Sequence, residues 1–199
     1  MKLPRKLNSV CSTFSDFKEP WFVAGGWAID LAVGRVTRQH SDVDICIFRN
    51  SLPQFFSYFK EWKIEVSIPG TSQRITCRSI EDVIIPRHEL HCDFENINFE
   101  ILLNETNGEN IVFRRDTSII LPLERFTCWN NDNIPFVHPA WLLLYKAKYL
   151  KEKDQKDFKE VIKILLKDDL KWLHQALSRH QPGSHWLREL NELMYKRFN

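Results

Sequence analysis

The chain has 199 residues, 43% hydrophobic and 27% charged, the composition of an ordinary soluble globular protein with room for one sizeable core. Lys and Arg number 28 against 26 Asp and Glu, and this near-neutral balance argues against a broadly basic nucleic-acid-binding surface. No apolar run approaches the ~20 residues that a spanning helix needs. The basic start lacks the apolar stretch of a secretory signal. Cys11, Cys46, Cys77, Cys92 and Cys128 form no Cys-x-x-Cys pair, which reads as reduced thiols in a cytoplasmic protein.

In chain order, residues 4–18 read as a helix stopped before Pro20, and Trp21-Phe22-Val23-Ala24 as a short apolar strand running into Gly25-Gly26. Residues 27–33 have helical spacing, with Gly34 placed as terminator. Ser41-Asp42-Val43-Asp44 leads into the apolar Ile45-Cys46-Ile47-Phe48, a buried strand. Residues 52–62 place Phe55, Phe56 and Phe59 on a helix face, and strands follow around 63–68, 89–94, 97–103 and 110–114. The pattern changes at Pro139, which suits a first helical turn. Helices are predicted from there, at 154–166, at 169–177, and at 185–195 after Pro182-Gly183. The chain thus divides into an N-terminal α+β domain, residues 1–137, and a C-terminal helical domain, residues 138–199.

The chemistry is concentrated before residue 50. Side chains on a strand alternate in direction, so Asp42 and Asp44 point the same way while Val43 and Ile45 pack behind them. Two carboxylates held that close repel unless a cation lies between them, and a hard divalent ion such as Mg2+ takes oxygen ligands. Gly25-Gly26, after a strand and opening a helix, lets backbone approach an anion that the free N–H groups and the helix dipole favour. A phosphate cradle beside a carboxylate pair is what a nucleoside triphosphate with Mg2+ requires.

A third acid, able to ligate metal and accept a proton, is sought in Ile97-Asn98-Phe99-Glu100-Ile101-Leu102-Leu103. Glu100 lies inside an apolar run, where an acid without a partner is costly. Asp93, Glu95 and Glu105 compete nearer the strand ends. Arg35, Arg38, Arg114 and Arg115 are cations able to offset phosphate charge, and Lys146 and Lys148 are the inward pair of the first C-terminal helix, while Lys153 reads as part of a solvated face. His40 could orient a carboxylate or simply cap a loop.

The run Gly25-Gly26-Trp27-Ala28-Ile29-Asp30-Leu31, with Gly34-Arg35, Thr37-Arg38, His40 and Asp42-Val43-Asp44, resembles the aminoglycoside 2''-nucleotidyltransferases and their lincosamide-modifying relatives. These belong to the polymerase-beta-type nucleotidyltransferase superfamily. The segment from Pro139 to Lys148, with Lys153-Asp154 and Asp157-Phe158, resembles the helical region of that wider family. The resemblance implies a small mixed β-sheet domain with flanking helices, followed by a helical domain. It also implies a Mg-dependent adenylyltransferase that moves AMP from ATP onto a hydroxyl of a small molecule, such as an aminoglycoside or a lincosamide. Carried onto this sequence, Gly25 and Gly26 hold the triphosphate, with Arg38, His40, Lys146 and Lys148 as further nucleotide-binding groups. Asp42, Asp44 and Glu100 bind two Mg2+ ions, and Glu100 is the general base. Relatives often carry Asp at that place, so Glu100 is a departure.

For a cationic aminoglycoside an acidic cleft is expected, and Glu81, Asp82, Glu89, Asp93 and Glu95 are its candidates. The alternatives are an enzyme that nucleotidylates a protein or RNA, and a nucleotide-binding module without activity.

Overall fold

The computed structural model describes residues 3–198. Helix α1 (Arg5–Thr13) precedes strand β1 (Trp21–Val23), α2 (Gly25–Val33) and β2 (Asp44–Phe48). After α3 (Leu52–Tyr58) come β3 (Lys63–Ser67), β4 (Arg74–Thr76), β5 (Glu89–Phe94) and the long β6 (Ile97–Asn107). Strands β7 (Asn110–Val112) and β8 (Ile120–Pro122), the single turn α4 (Leu123–Phe126), β9 (Thr127–Trp129) and β10 (Pro135–Val137) complete the strand-rich part. Four helices follow: α5 (Pro139–Lys146), α6 (Glu152–Ile164), α7 (Lys167–His180) and α8 (His185–Phe198).

The ten strands form one mixed sheet in the order β4-β3-β5-β6-β2-β1-β10-β9, with β7 and β8 carried on the far end of β6. β2 pairs in parallel with β6, and β1 with β10; the other pairs are antiparallel. Because side chains alternate, β2 and β6 each present two unlike faces. Ile45, Ile47, Phe99, Ile101 and Leu103 fill one face, under α1 and α3. Asp44, Cys46, Glu100, Leu102 and Asn104 occupy the other.

The first face is sealed by aromatic rings. Phe59 lies 5.1 Å from Phe14, 4.7 Å from Phe55 and 5.7 Å from Phe99, ring centre to ring centre. On the second face Phe126 packs edge-on against Phe22 and Trp141, joining the sheet to α5. Farther out, Trp186 of α8 stacks on Phe158 of α6 at 4.3 Å.

The four C-terminal helices lie close to their predicted positions. Pro139 opens α5, where His138 caps the helix by accepting the Ala140 N–H at 3.2 Å. Gly34 ends α2 in the left-handed region, φ 81°, its N–H donating to Asp30 O. Two helices are shorter than predicted. The first stops at Thr13 and the third at Tyr58, and in both cases the remaining predicted residues form turns whose rings, Phe14, Phe17 and Phe59, are core. Four strands, β4, β8, β9 and β10, were not legible, each being only three residues long.

Phe59→Ala is expected to cost about 3–5 kcal/mol of folding stability, since the neighbouring rings cannot close the gap. A urea titration with an unchanged slope and a lowered midpoint is the check.

Candidate active site

The site grows out of one cross-strand row. Register places Thr76 of β4, Glu65 of β3, His91 of β5, Glu100 of β6 and Asp44 of β2 side by side. The row ends against α2, whose first turn follows β1 directly, and the Asp44 carbonyl accepts the Ala24 N–H at 2.8 Å. The N–H groups of that first turn have no carbonyl partner a turn earlier, and they carry the positive end of the helix.

The two glycines make room for this chain's own side chains. Gly25 has φ 59°, and a Cβ there would come within 1.7 Å of Asp44 Oδ2. A Cβ on Gly26 would come within 2.3 Å of the His40 ring and 2.5 Å of the Arg38 guanidinium. Any side chain at Gly25 therefore displaces the Asp44 carboxylate from the mouth of α2.

Asp44 and Glu100 come together as neighbours on parallel strands. Burial pushes the Asp44 carboxyl up, and the charges of Asp42 and Glu89 add to this, while Lys146 and Lys153 oppose it. Burial likewise raises Glu100, with help from Asp44, Glu89 and Asp42, to about 7. Asp42 departs from its expected place. β2 begins at Asp44, so Asp42 lies in the preceding loop, exposed, with its carboxylate accepting the Ser41 hydroxyl at 2.6 Å. Val43 between them is still buried, and its carbonyl accepts the Glu100 N–H at 2.9 Å, so the alternation persists past the strand's end. Among the described residues, the three possible metal ligands whose donor atoms all lie within 4.8 Å of one another are Glu89, His91 and Glu100. The trio Asp42, Asp44 and Glu100 does not meet that spacing.

The predicted cations divide. Arg38 makes a two-pronged pair with Asp157 of α6, at 2.9 and 3.1 Å. Lys146 reaches Asp157 at 2.8 Å and Asp154 at 3.0 Å. Burial would raise the Asp157 carboxyl, but Arg38 and Lys146 outweigh it and hold the group low. His40 is a carboxylate partner, though of Asp30 rather than Asp42: Nε2 lies 2.6 Å from Asp30 Oδ2 and the ring packs on Trp27 at 4.3 Å. With its side chain only 4% exposed, it braces the loop after α2 from beside Gly26. Lys148 is also corrected. α5 ends at Lys146, so Lys148 is exposed in the following turn, over the Tyr149 ring and acting on His180. Lys153, which the sequence placed on a solvated face, acts on Asp44 and has no ion pair among the described residues.

Two cavities flank the acids. One, of about 200 Å³, is largely apolar and is bordered by Gly25, Leu102, Trp141, Tyr145 and Lys146, with the exposed Arg114 at its edge. The other, of about 380 Å³, is polar and is bordered by Asp42, Lys63, Arg74, Asp93, Asn98 and Glu100. Of the acids named for a polycation cleft, Asp93 borders the polar cavity, together with Asp42, Glu65 and Glu100. Asp82 caps the helical turn Ile80–Val83, Glu95 sits in the β5–β6 turn, and Lys63 and Arg74 share the polar cavity with Asp93. Sequence reasoning treated Glu89 only as a cleft acid and left out His91. The signal was present: Glu89-x-His91 alternates on a strand that pairs with the one carrying Glu100.

The fold has solved counterparts. A lincomycin-bound lincosamide antibiotic adenylyltransferase, LnuA, superposes with a TM-score of 0.58 over 82% of this chain and 98% of its own, at 20% identity. The antibiotic-resistance factor ANT(2'')-Ia superposes with a TM-score of 0.50 over 96% of this chain and 88% of its own, at 11% identity. The chain therefore shares the fold of these proteins. In sequence, a lincosamide resistance protein of Staphylococcus haemolyticus is 22% identical over 160 residues, 79% of this chain and 92% of that protein. A 2''-aminoglycoside nucleotidyltransferase of Escherichia coli is 58% identical over a 26-residue segment, 13% of this chain and 15% of that protein. The family model for aminoglycoside-2''-adenylyltransferase matches residues 6–126, and the chain belongs to that family.

Gly25→Ala is expected to keep the fold, at a cost of about 1–2 kcal/mol for the left-handed backbone. The clash should move the Asp44 carboxylate out of the mouth of α2, read as a changed Asp44 rotamer in a crystal structure of the variant.

Glu100 gives a pH signature. Its folded value, about 7, lies above the ordinary 4.5, so ionisation destabilises the metal-free fold, with no effect below about pH 4.5 and the full effect above about 7. Discounted for partial exposure, Glu100→Gln should stabilise the metal-free protein by on the order of 1–3 kcal/mol at pH 8 and by nothing at pH 4, measured by denaturation at both pH values.

Proposed function

We propose that the chain transfers the AMP group of ATP to a hydroxyl of a small-molecule antibiotic, with Asp42, Asp44 and Glu100 as the catalytic acids. The observation that carries this reading is the Asp44–Glu100 pair on adjacent parallel strands, set against the glycine-opened mouth of α2. The donor set suits a hard divalent cation. It is all carboxylate oxygen, and the charges raise one another's affinity for protons in the way that a shared cation relieves. Asp42, Asp44 and Glu100 would hold two Mg2+ ions. When bound, these supply Lewis acidity and charge neutralisation at the phosphoryl oxygens.

The remaining work falls to the chain. The first-turn N–H groups at Gly25 and Gly26 receive the triphosphate, and Lys153 adds an unpaired positive charge on the side of Asp44. Lys146 and Arg38 have a different part from the one expected of nucleotide ligands. Held by Asp154 and Asp157, they fasten α5 and α6 to the loop that follows α2. The apolar cavity between Gly25 and Tyr145 receives the base, and the polar cavity receives the acceptor, because Glu100 borders the latter. Glu100 takes the hydroxyl proton as the acceptor oxygen bonds to the α-phosphorus. The bond from that phosphorus to the bridging oxygen breaks, and pyrophosphate leaves. A carboxyl raised to about 7 is well matched to accepting a proton at neutral pH.

The acceptor is read as a lincosamide or an aminoglycoside, in line with what the relatives are named for. Among the described residues no helix is long and apolar enough to cross a membrane.

The test incubates purified chain with α-labelled ATP, Mg2+ and separate panels of lincosamides, aminoglycosides and cell extract. Label is expected on a small molecule, and label confined to macromolecules would overturn the acceptor assignment. Asp44→Asn and Asp42→Asn should each lower the rate about 10³-fold, the several kcal/mol that charge stabilisation by a held metal contributes. Wild-type turnover in either folded variant would remove that residue from the metal site.

A further inference from the structure

We propose that His91 is the positioning residue for Glu100, the link that fixes the acid's carboxylate toward the acceptor cavity. The inference rests on the transferase reading and assigns a role to a residue that neither motif includes. Glu100 Oε1 lies 3.2 Å from His91 Nδ1, at ion-pair distance but without hydrogen-bond geometry, and among the described residues the Glu100 side chain has no other ion pair and no hydrogen bond. A carboxylate inside an apolar strand run with a single contact takes its orientation from that contact.

The histidine is itself held from behind. Its Nε2 lies 2.8 Å from Glu89 Oε1 and 2.9 Å from Ser67 Oγ, and Ser67 also donates to Glu89 at 2.9 Å. Ser67, Glu89 and His91 come from adjacent strands β3 and β5, so their spacing is set by backbone pairing rather than by loop conformation. The side chain of His91 is 10% exposed, which leaves the imidazole few alternative positions. Each ring nitrogen lies at contact distance from a carboxylate oxygen, so the imidazole stands between Glu89 and Glu100, and in the neutral ring the Nδ1–H tautomer is the one that can donate to Glu100. The ring belongs to the wall of the acceptor cavity and not to the nucleotide side. Its loss should therefore slow the chemical step more than it weakens nucleotide binding.

The experiment is a double-mutant cycle on the purified chain with Mg2+ and ATP. His91→Phe should lower kcat about 10–100-fold, the usual effect of removing a group that orients an active-site ligand, while the KM for ATP changes less than about twofold. In a Glu100→Gln background the same substitution should have almost no further effect, because two residues that act as a unit are not additive. His91→Asn keeps a donor near the Nδ1 position and should recover much of the loss. Equal losses from His91→Phe in both backgrounds would overturn the proposal. A crystal structure of each His91 variant provides the readout that does not need turnover. Glu100 should leave its wild-type rotamer in His91→Phe and keep it in His91→Asn. An unmoved Glu100 in His91→Phe would also overturn it. If the wild-type chain transfers nothing, the transferase reading fails, and the structures still decide whether His91 holds Glu100.

Discussion

Parallel pairing of β2 with β6, in the register that sets Asp44 beside Glu100, is the constraint on which the site depends. Neighbouring strands lie about 4.8 Å apart. Two carboxylates at such a separation repel by about 3 kcal/mol at an effective dielectric of 20. Hydrophobic packing holds them there regardless, because Val43, Ile45 and Ile101 are buried on the opposite side of the same strands. The core thus supplies the energy that keeps like charges together, and the resulting repulsion is what makes the pair receptive to a cation or a proton.

A second consequence is the need for glycine at position 25. The sheet aims Asp44 at the start of α2, and only a residue without Cβ leaves space for its carboxylate. Gly26 plays the same part for the loop that returns from α2, where His40 and Arg38 pack against the backbone. His40 is fixed by Asp30, and Asp30 is also bonded by Thr37 N–H at 3.0 Å. Arg38 continues the chain of contacts to Asp157, and Asp157 to Lys146. A buried pair of this kind costs about 3–5 kcal/mol when one member is removed, because the other is left uncompensated. These residues therefore set the relation between this face of the sheet and the helices that follow.

The placement of cavities on either side of the acids fits an in-line displacement, where the attacking oxygen and the leaving group must lie on opposite sides of phosphorus. The apolar side, near Trp141 and Tyr145, suits a flat base, which gains from contact with aromatic rings. The polar side carries both signs of charge, Asp42, Glu65, Asp93 and Glu100 against Lys63 and Arg74.

The glycine turn, the Asp-x-Asp strand, the acid within the apolar run of β6 and the helices after Pro139 were legible in the sequence, because each rests on a short-range pattern that the chain carries locally. Four of the six three-residue strands, β4, β8, β9 and β10, were not. Nor could local pattern show which charges meet. Arg38 and Asp157 are 119 positions apart, and nothing in their own neighbourhoods marks them as partners. The same is true of Glu89 and His91, whose role follows from antiparallel pairing of β5 with β6. Sequence by itself determined the element types and the reactive residue types, because backbone propensity and side-chain period are properties of adjacent residues. Tertiary structure alone decided which carboxylates share a face, which cations are already neutralised and which histidine lies beside Glu100, because those depend on contacts that the chain makes only on folding.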